Sequence, residues 1–222
     1  MSDVRYARFW RCALQLNPWD YAGKYRGVDH GLNQEAYNAG IQQTCREEGI
    51  EVVGIADHGS VSTLDALRGI LTADGITVFP GFEVSSSEKA HFVCLFPENT
   101  SVRQLERYLG TLKLVDPERG VHPSSLSANQ LLDEVDSLGG FAYAAHCTED
   151  SGVLRLKLNH VWQNPKLLAA QIPGTLDELR NGEGNAYRRI LLNKDPNYGR
   201  GRSIGIINAR DVARPDDLRA SQ

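Results

Sequence analysis

The chain has 222 residues, 41% of them hydrophobic and 23% charged, which is enough for one large domain or two small ones around a proper core. A net charge of −4 argues against a broad basic footprint for nucleic acid and leaves room only for a local groove. No apolar run approaches the ~18–20 residues of a membrane span, and the opening MSDVRYARFWR lacks the apolar core of a secretory leader, so a cytoplasmic location is expected.

A first strand is predicted at residues 11–16 (RCALQL). The polar loop 17–32 follows, with Pro18, Asp20, Tyr21, Lys24, Arg26 and His30, a natural place for binding residues directly after a strand. Tyr37, Ile41 and Cys45 then recur every four residues, as on one face of a helix. Strand 51–56 (EVVGIA) leads into a helix with Leu64, Leu67 and Leu71 on one face and Gly75 as its stop. Strands 77–82 (TVFPGF) and 91–96 (HFVCLF) come next. Ser101 with Gln104 and Ser127 with Gln130 match the capping-box spacing and open two more helices, the second stopping at Gly139-Gly140. Strands 140–144 (GFAYA), 168–172 (LAAQI) and 203–207 (SIGII) complete the set, and 147–164 reads as loops and short helices. Such alternation favours a mostly parallel sheet, open or closed into a barrel. Cys12, Cys45, Cys94 and Cys147 form no CxxC pair and read as free thiols, most of them buried.

The chemistry falls at predicted strand ends. His58 follows the second strand, Glu83 the third and His146 the fifth; Asn208 and Asp211 follow the last, and His91 sits at the near end of the fourth. Residues just beyond the carboxyl ends of different strands meet in one cleft of a parallel sheet or barrel. Three His and two carboxylates there form a natural ligand set for Zn²⁺, Mn²⁺ or Fe²⁺. Taken singly, each has a plainer role: a strand-end His is usually hydrogen-bonded structure, and Asp57 is expected to cap a helix beginning near Ser60. The conjunction carries the inference.

The runs IADHGSV, PGFEVSSSEKAHFVCLF, GGFAYAAHC and INARDVARPDDL resemble, in order, the motifs of PHP (polymerase and histidinol phosphatase) domains. CALQLNPWDYAGKYRGVDHGL, QIPG and NKDPNYGR resemble the subgroup in which that domain precedes an AAA-like ATPase, the TrlF type. The resemblance implies an α/β fold, a distorted seven-stranded (β/α) barrel of PHP type, spanning residues 1–222 as a single domain and forming the N-terminal part of a longer ATPase-fused protein. It implies one or two divalent ions (Mn, Zn or Fe), with Glu83, His91 and His146 at one site, Glu83 bridging to a neighbour completed by Asp211, and His58 at another. Where the family carries H-x-H in its first strand this chain has Gln15 and Asn17, and its last His falls on Ala213. An amide oxygen is a weak ligand suited to harder ions, so the sites involving Gln15, Asn17 and Ala213 should be weakened while that of Glu83, His91 and His146 is intact. His30, Asp20 or Asp57 are candidates to compensate, His30 being expected to be an ordinary loop residue. His122 and His160 are expected on the surface, and Cys147 as a buried thiol rather than a soft ligand.

The function implied is a metal-dependent phosphoesterase acting on a nucleotide, another phosphorylated small molecule or a nucleic acid. Glu83, His146 and Asp211 would be catalytic, and Lys24, Arg26 and Arg210 would hold substrate phosphates. The alternatives are a catalytically inactive PHP module with a structural or interaction role beside an AAA-like ATPase domain or subunit, and a nucleic-acid-binding module without chemistry. No Walker P-loop and no GxSxG elbow occurs, which excludes those two routes to hydrolysis.

Overall fold

The computed structural model describes residues 10–21, 30–115, 123–208 and 212–220. Seven strands, β1 (Cys12–Leu16), β2 (Val52–His58), β3 (Thr77–Ser85), β4 (His91–Leu95), β5 (Phe141–Ala144), β6 (Ala169–Ile172) and β7 (Gly205–Asn208), pair in chain order into one curled sheet. Neighbours run parallel except at β4, which is antiparallel to both β3 and β5. The sheet expected to be mostly parallel is therefore mixed. Only residues 86–90 join β3 to β4, too few for the crossover that parallel neighbours require, so the chain doubles back.

Between the strands lie α1 (Gln34–Glu48), α2 (Leu64–Ala73), α3 (Val102–Thr111), α4 (Ala128–Ser137), α5 (Asn159–Trp162) and α6 (Glu183–Leu191), with α7 (Asp217–Ala220) after β7. Their ends follow local chemistry. Asn33 caps α1 by accepting from the Ala36 amide at 2.8 Å, and both predicted capping boxes form at α3 and α4. No described helix is long and apolar enough to cross a membrane.

Strand alternation divides the apolar residues into two cores. On the outer face Val53, Ile55, Val78 and Phe82 pack with helix residues such as Tyr37, Ile41, Leu67 and Leu71. On the inner face Ala56, Val93, Leu95, Tyr143, Ala145 and Ala169 meet one another without a helix. The sheet curls enough for the Tyr143 hydroxyl on β5 to donate to the Leu14 carbonyl of β1 at 3.0 Å. Close approach also demands Gly81: a Cβ there would stand 2.0 Å from the Cys94 carbonyl oxygen.

Two irregularities shape β1. Ala13 pairs with Val53 and Leu16 with Ile55, so β1 takes three steps where β2 takes two, a bulge that inserts one residue. As a result Leu14 and Gln15 both face inward, while Leu16 packs outward in the helix-side core. Beyond β7, Val212 forms a parallel bridge with Leu16. Among the described residues this bridge, rather than a β1–β7 ladder, brings the ends of the sheet together: a mixed α/β half-barrel.

Candidate metal centre

The strands reach further than predicted. His58 is the last residue of β2 and Glu83 lies within β3, and they pair side by side in register. Sheet alternation, not loop geometry, therefore points both inward. His91 opens β4, and because β4 runs against its neighbours its first residue lies at the rim where the parallel strands end. His146 lies just past β5 with a positive φ of 28°, a conformation few non-glycine residues adopt. It is held there from both sides: the Ala145 amide donates to the His91 carbonyl at 3.1 Å and the Cys147 amide to the Gln171 carbonyl at 2.8 Å.

These four side chains converge on one oxygen. Oε1 of Glu83 lies 3.4 Å from Nε2 of His58, 2.8 Å from Nδ1 of His91 and 3.9 Å from Nε2 of His146. The ligand atoms of His58, Glu83 and His91 all fall within 4.8 Å of one another. Donors bound at ~2.0–2.2 Å to one ion, at tetrahedral angles, stand about 3.4 Å apart. Oε1 of Glu83 and Nδ1 of His91 are both buried. The residues fit a divalent cation. Burial pushes the Glu83 carboxyl up, but the imidazoles of His58, His146 and His91 outweigh it and hold the carboxyl well below the usual carboxylate range.

The other expected residues separate. Gln15 faces the centre, 2% exposed, but its amide nitrogen donates to Oε2 of Glu83 at 2.5 Å. The Asn17 amide donates to the Val212 carbonyl at 3.2 Å. Asp20 accepts from the Thr63 hydroxyl at 2.7 Å, and His30 is tied to Trp19 and Leu32 and stacked on Tyr37, an ordinary loop residue as expected. Asn208 accepts from the Gly174 amide at 3.1 Å. Asp57 does not cap a helix: α2 begins later, at Leu64, and the Asp57 carboxylate accepts from the His58 amide at 2.7 Å. Cys45, Cys94 and Cys147 are buried, Cys12 is exposed, and burial pushes the Cys147 thiol up to about 12. His160 is exposed. Lys24, Arg26, His122, Arg210 and Asp211 lie outside the described residues.

Three further residues matter. Gln171 on β6, 2% exposed, accepts from the His146 amide at 3.0 Å and donates to Gln15 at 2.8 Å. A lone polar residue inside the apolar run LAAQI was the available signal, since a buried amide needs partners. Tyr21 stacks on His58 with ring centroids 5.2 Å apart and packs on Ala213. Arg155 lines, with His146, Thr148, Glu149 and Asp150, an open cavity of about 520 Å³.

No protein-family description and no curated protein matches this sequence. Solved structures do. Endonuclease Q from Pyrococcus furiosus superposes with a TM-score of 0.57 at 11% identity over 92% of this chain and 49% of its own. An endonuclease Q complex with a 27-mer duplex substrate bearing an abasic lesion at the active site gives 0.58 at 12%, again over 92% and 49%. A two-domain Bacteroides vulgatus protein containing a predicted PHP-like metal-dependent phosphoesterase gives 0.53 at 12%, over 93% and 53%. The fold is PHP-like. The chain spans about half the length of these proteins.

Proposed function

We propose that this chain is a metal-dependent phosphoesterase that hydrolyses a phosphate ester of a nucleotide or nucleic acid. The observation that carries the proposal is the convergence of His58, His91 and His146 on one buried oxygen of Glu83 at the rim of a PHP-like fold. These four residues would hold the cation, Mn²⁺, Zn²⁺ or Fe²⁺, since imidazole nitrogen with one carboxylate oxygen suits a borderline ion. A divalent cation supplies a lowered pKa for bound water and a polarised phosphoryl oxygen. Glu83 would keep the centre anionic, and His146, which lines the open cavity, would meet substrate. Arg155 at the same cavity, with Lys24, Arg26 and Arg210, would hold phosphate oxygens, and Asp211 would add a carboxylate. Support for a nucleic-acid substrate is the likeness to endonuclease Q, solved with a 27-mer duplex substrate. Partnership with an AAA-like ATPase, which rests on the sequence resemblance, and a cytoplasmic location, expected from the sequence composition, are part of the same proposal.

The test is elemental analysis of protein purified without chelator, followed by hydrolysis of a generic phosphodiester with Mn²⁺ supplied. Metal content below about 0.1 per chain, together with no rise in Tm on adding Mn²⁺, Zn²⁺ or Fe²⁺, would overturn the proposal, because a ligand of the native state must stabilise it. The inactive-module alternative would then stand.

A further inference from the structure

We propose that the centre takes a single divalent cation, because Gln15 and Gln171 act as positioning residues that leave only one oxygen of Glu83 available. This rests on the metal-dependent function proposed above and narrows it. The two amides form a hydrogen-bonded chain whose direction is fixed at both ends. The His146 backbone N–H can only donate, so the Gln171 atom 3.0 Å from it is the oxygen. The Gln171 amide nitrogen then donates to the Gln15 oxygen at 2.8 Å. That turns the Gln15 NH₂ onto Oε2 of Glu83 at 2.5 Å, where an ionised carboxylate can only accept. Gln15, Glu83 and Gln171 are each 2% exposed, so water does not replace a broken link and the chain holds or fails as a unit.

The consequence for a cation is electrostatic. An ion approaching Oε2 meets the positive hydrogens of the Gln15 amide. Gln15 cannot turn its oxygen outward without setting that NH₂ against the Gln171 NH₂. Oε1, by contrast, faces three imidazoles. On the far flank Tyr21 stacks on His58 and packs on Ala213. The expected bridging role of Glu83 and the expected ligand role of Gln15 are both replaced: Glu83 is a one-oxygen ligand and Gln15 its tether.

Protein stripped with a chelator and titrated with Mn²⁺ or Zn²⁺ alone, with bound metal counted by elemental analysis and calorimetry, decides the matter without turnover. One ion per chain is the expected result. Two tightly bound ions per chain would overturn the single-ion proposal and leave the phosphoesterase proposal standing; none would overturn both. Gln171→Glu reverses the chain, since a carboxylate there accepts from both sides and forces the Gln15 oxygen against Oε2. Gln171→Met keeps the length and removes both bonds. In each variant the affinity for the single ion should fall by about tenfold or more, as second-layer partners of metal ligands do. The visible spectrum of the Co²⁺-loaded protein should shift with it, a change that altered packing away from the ligands does not produce. Unchanged affinity and spectrum in either folded variant would overturn the positioning role.

Discussion

Glu83 has an amide on one oxygen and imidazoles around the other, so at the scale of single residues it is the hinge between structure and chemistry. Glu83→Gln removes the anion of the described cluster; bound metal should fall by at least about tenfold and hydrolysis with it, while circular dichroism is unchanged. The same residue predicts a pH dependence for metal-free protein. Its folded-state carboxyl is held below the ordinary value. Its contribution to stability is thus fully present above the unfolded carboxylate value of ~4.3 and is lost as pH falls through the lower folded one. Urea midpoints of wild type and Glu83→Gln should converge as the pH falls below the unfolded carboxylate value. The gathering of His58, Glu83, His91 and His146 was legible in the sequence because apolar strand runs end in polar ligand types. The part of Gln171 was not, because hydrogen-bond partners 25 and 156 residues away leave no mark on the local pattern. Asp57 misled for a related reason: a carboxylate before a helix looks like a cap, and only the late start of α2 shows that it is not.

At the scale of elements, the capping boxes of α3 and α4 were readable because their partners lie three residues apart. Ser127 sits at the entry to α4, whose Leu131, Leu132 and Val135 are buried. Ser127→Ala should therefore lower unfolding free energy by about 1 kcal/mol in urea denaturation, leaving metal affinity unchanged. Strand direction was less readable. Hydrophobic alternation says which residues face which side, not which way a strand runs, so the reversal at β4 appears only once the short 86–90 connection is seen as a hairpin. The β1 bulge escapes in the same way. Alternation through RCALQL would set Leu14 and Gln15 on opposite faces, whereas the extra residue turns both inward.

Across the whole molecule, the segment after β7 is laced to the end of β1. The Asn17 amide and side chain both donate to the Val212 carbonyl, and the Val212 amide donates back to the Gln15 carbonyl at 3.2 Å. Asn17→Ala should cost about 1–2 kcal/mol in urea denaturation, because it leaves the carbonyl of buried Val212 with one bond fewer. That lacing also has a temporal meaning. Asn17 and Val212 are 195 positions apart, so the contact closes one of the longest loops the chain can form and belongs late in folding. During synthesis the end of β1 lacks this bridge until Val212 has left the ribosome. Competence to hold an ion should then mature after the hydrophobic core: in refolding followed by tryptophan fluorescence and by Co²⁺ absorbance together, the emission change should come first and the visible band second.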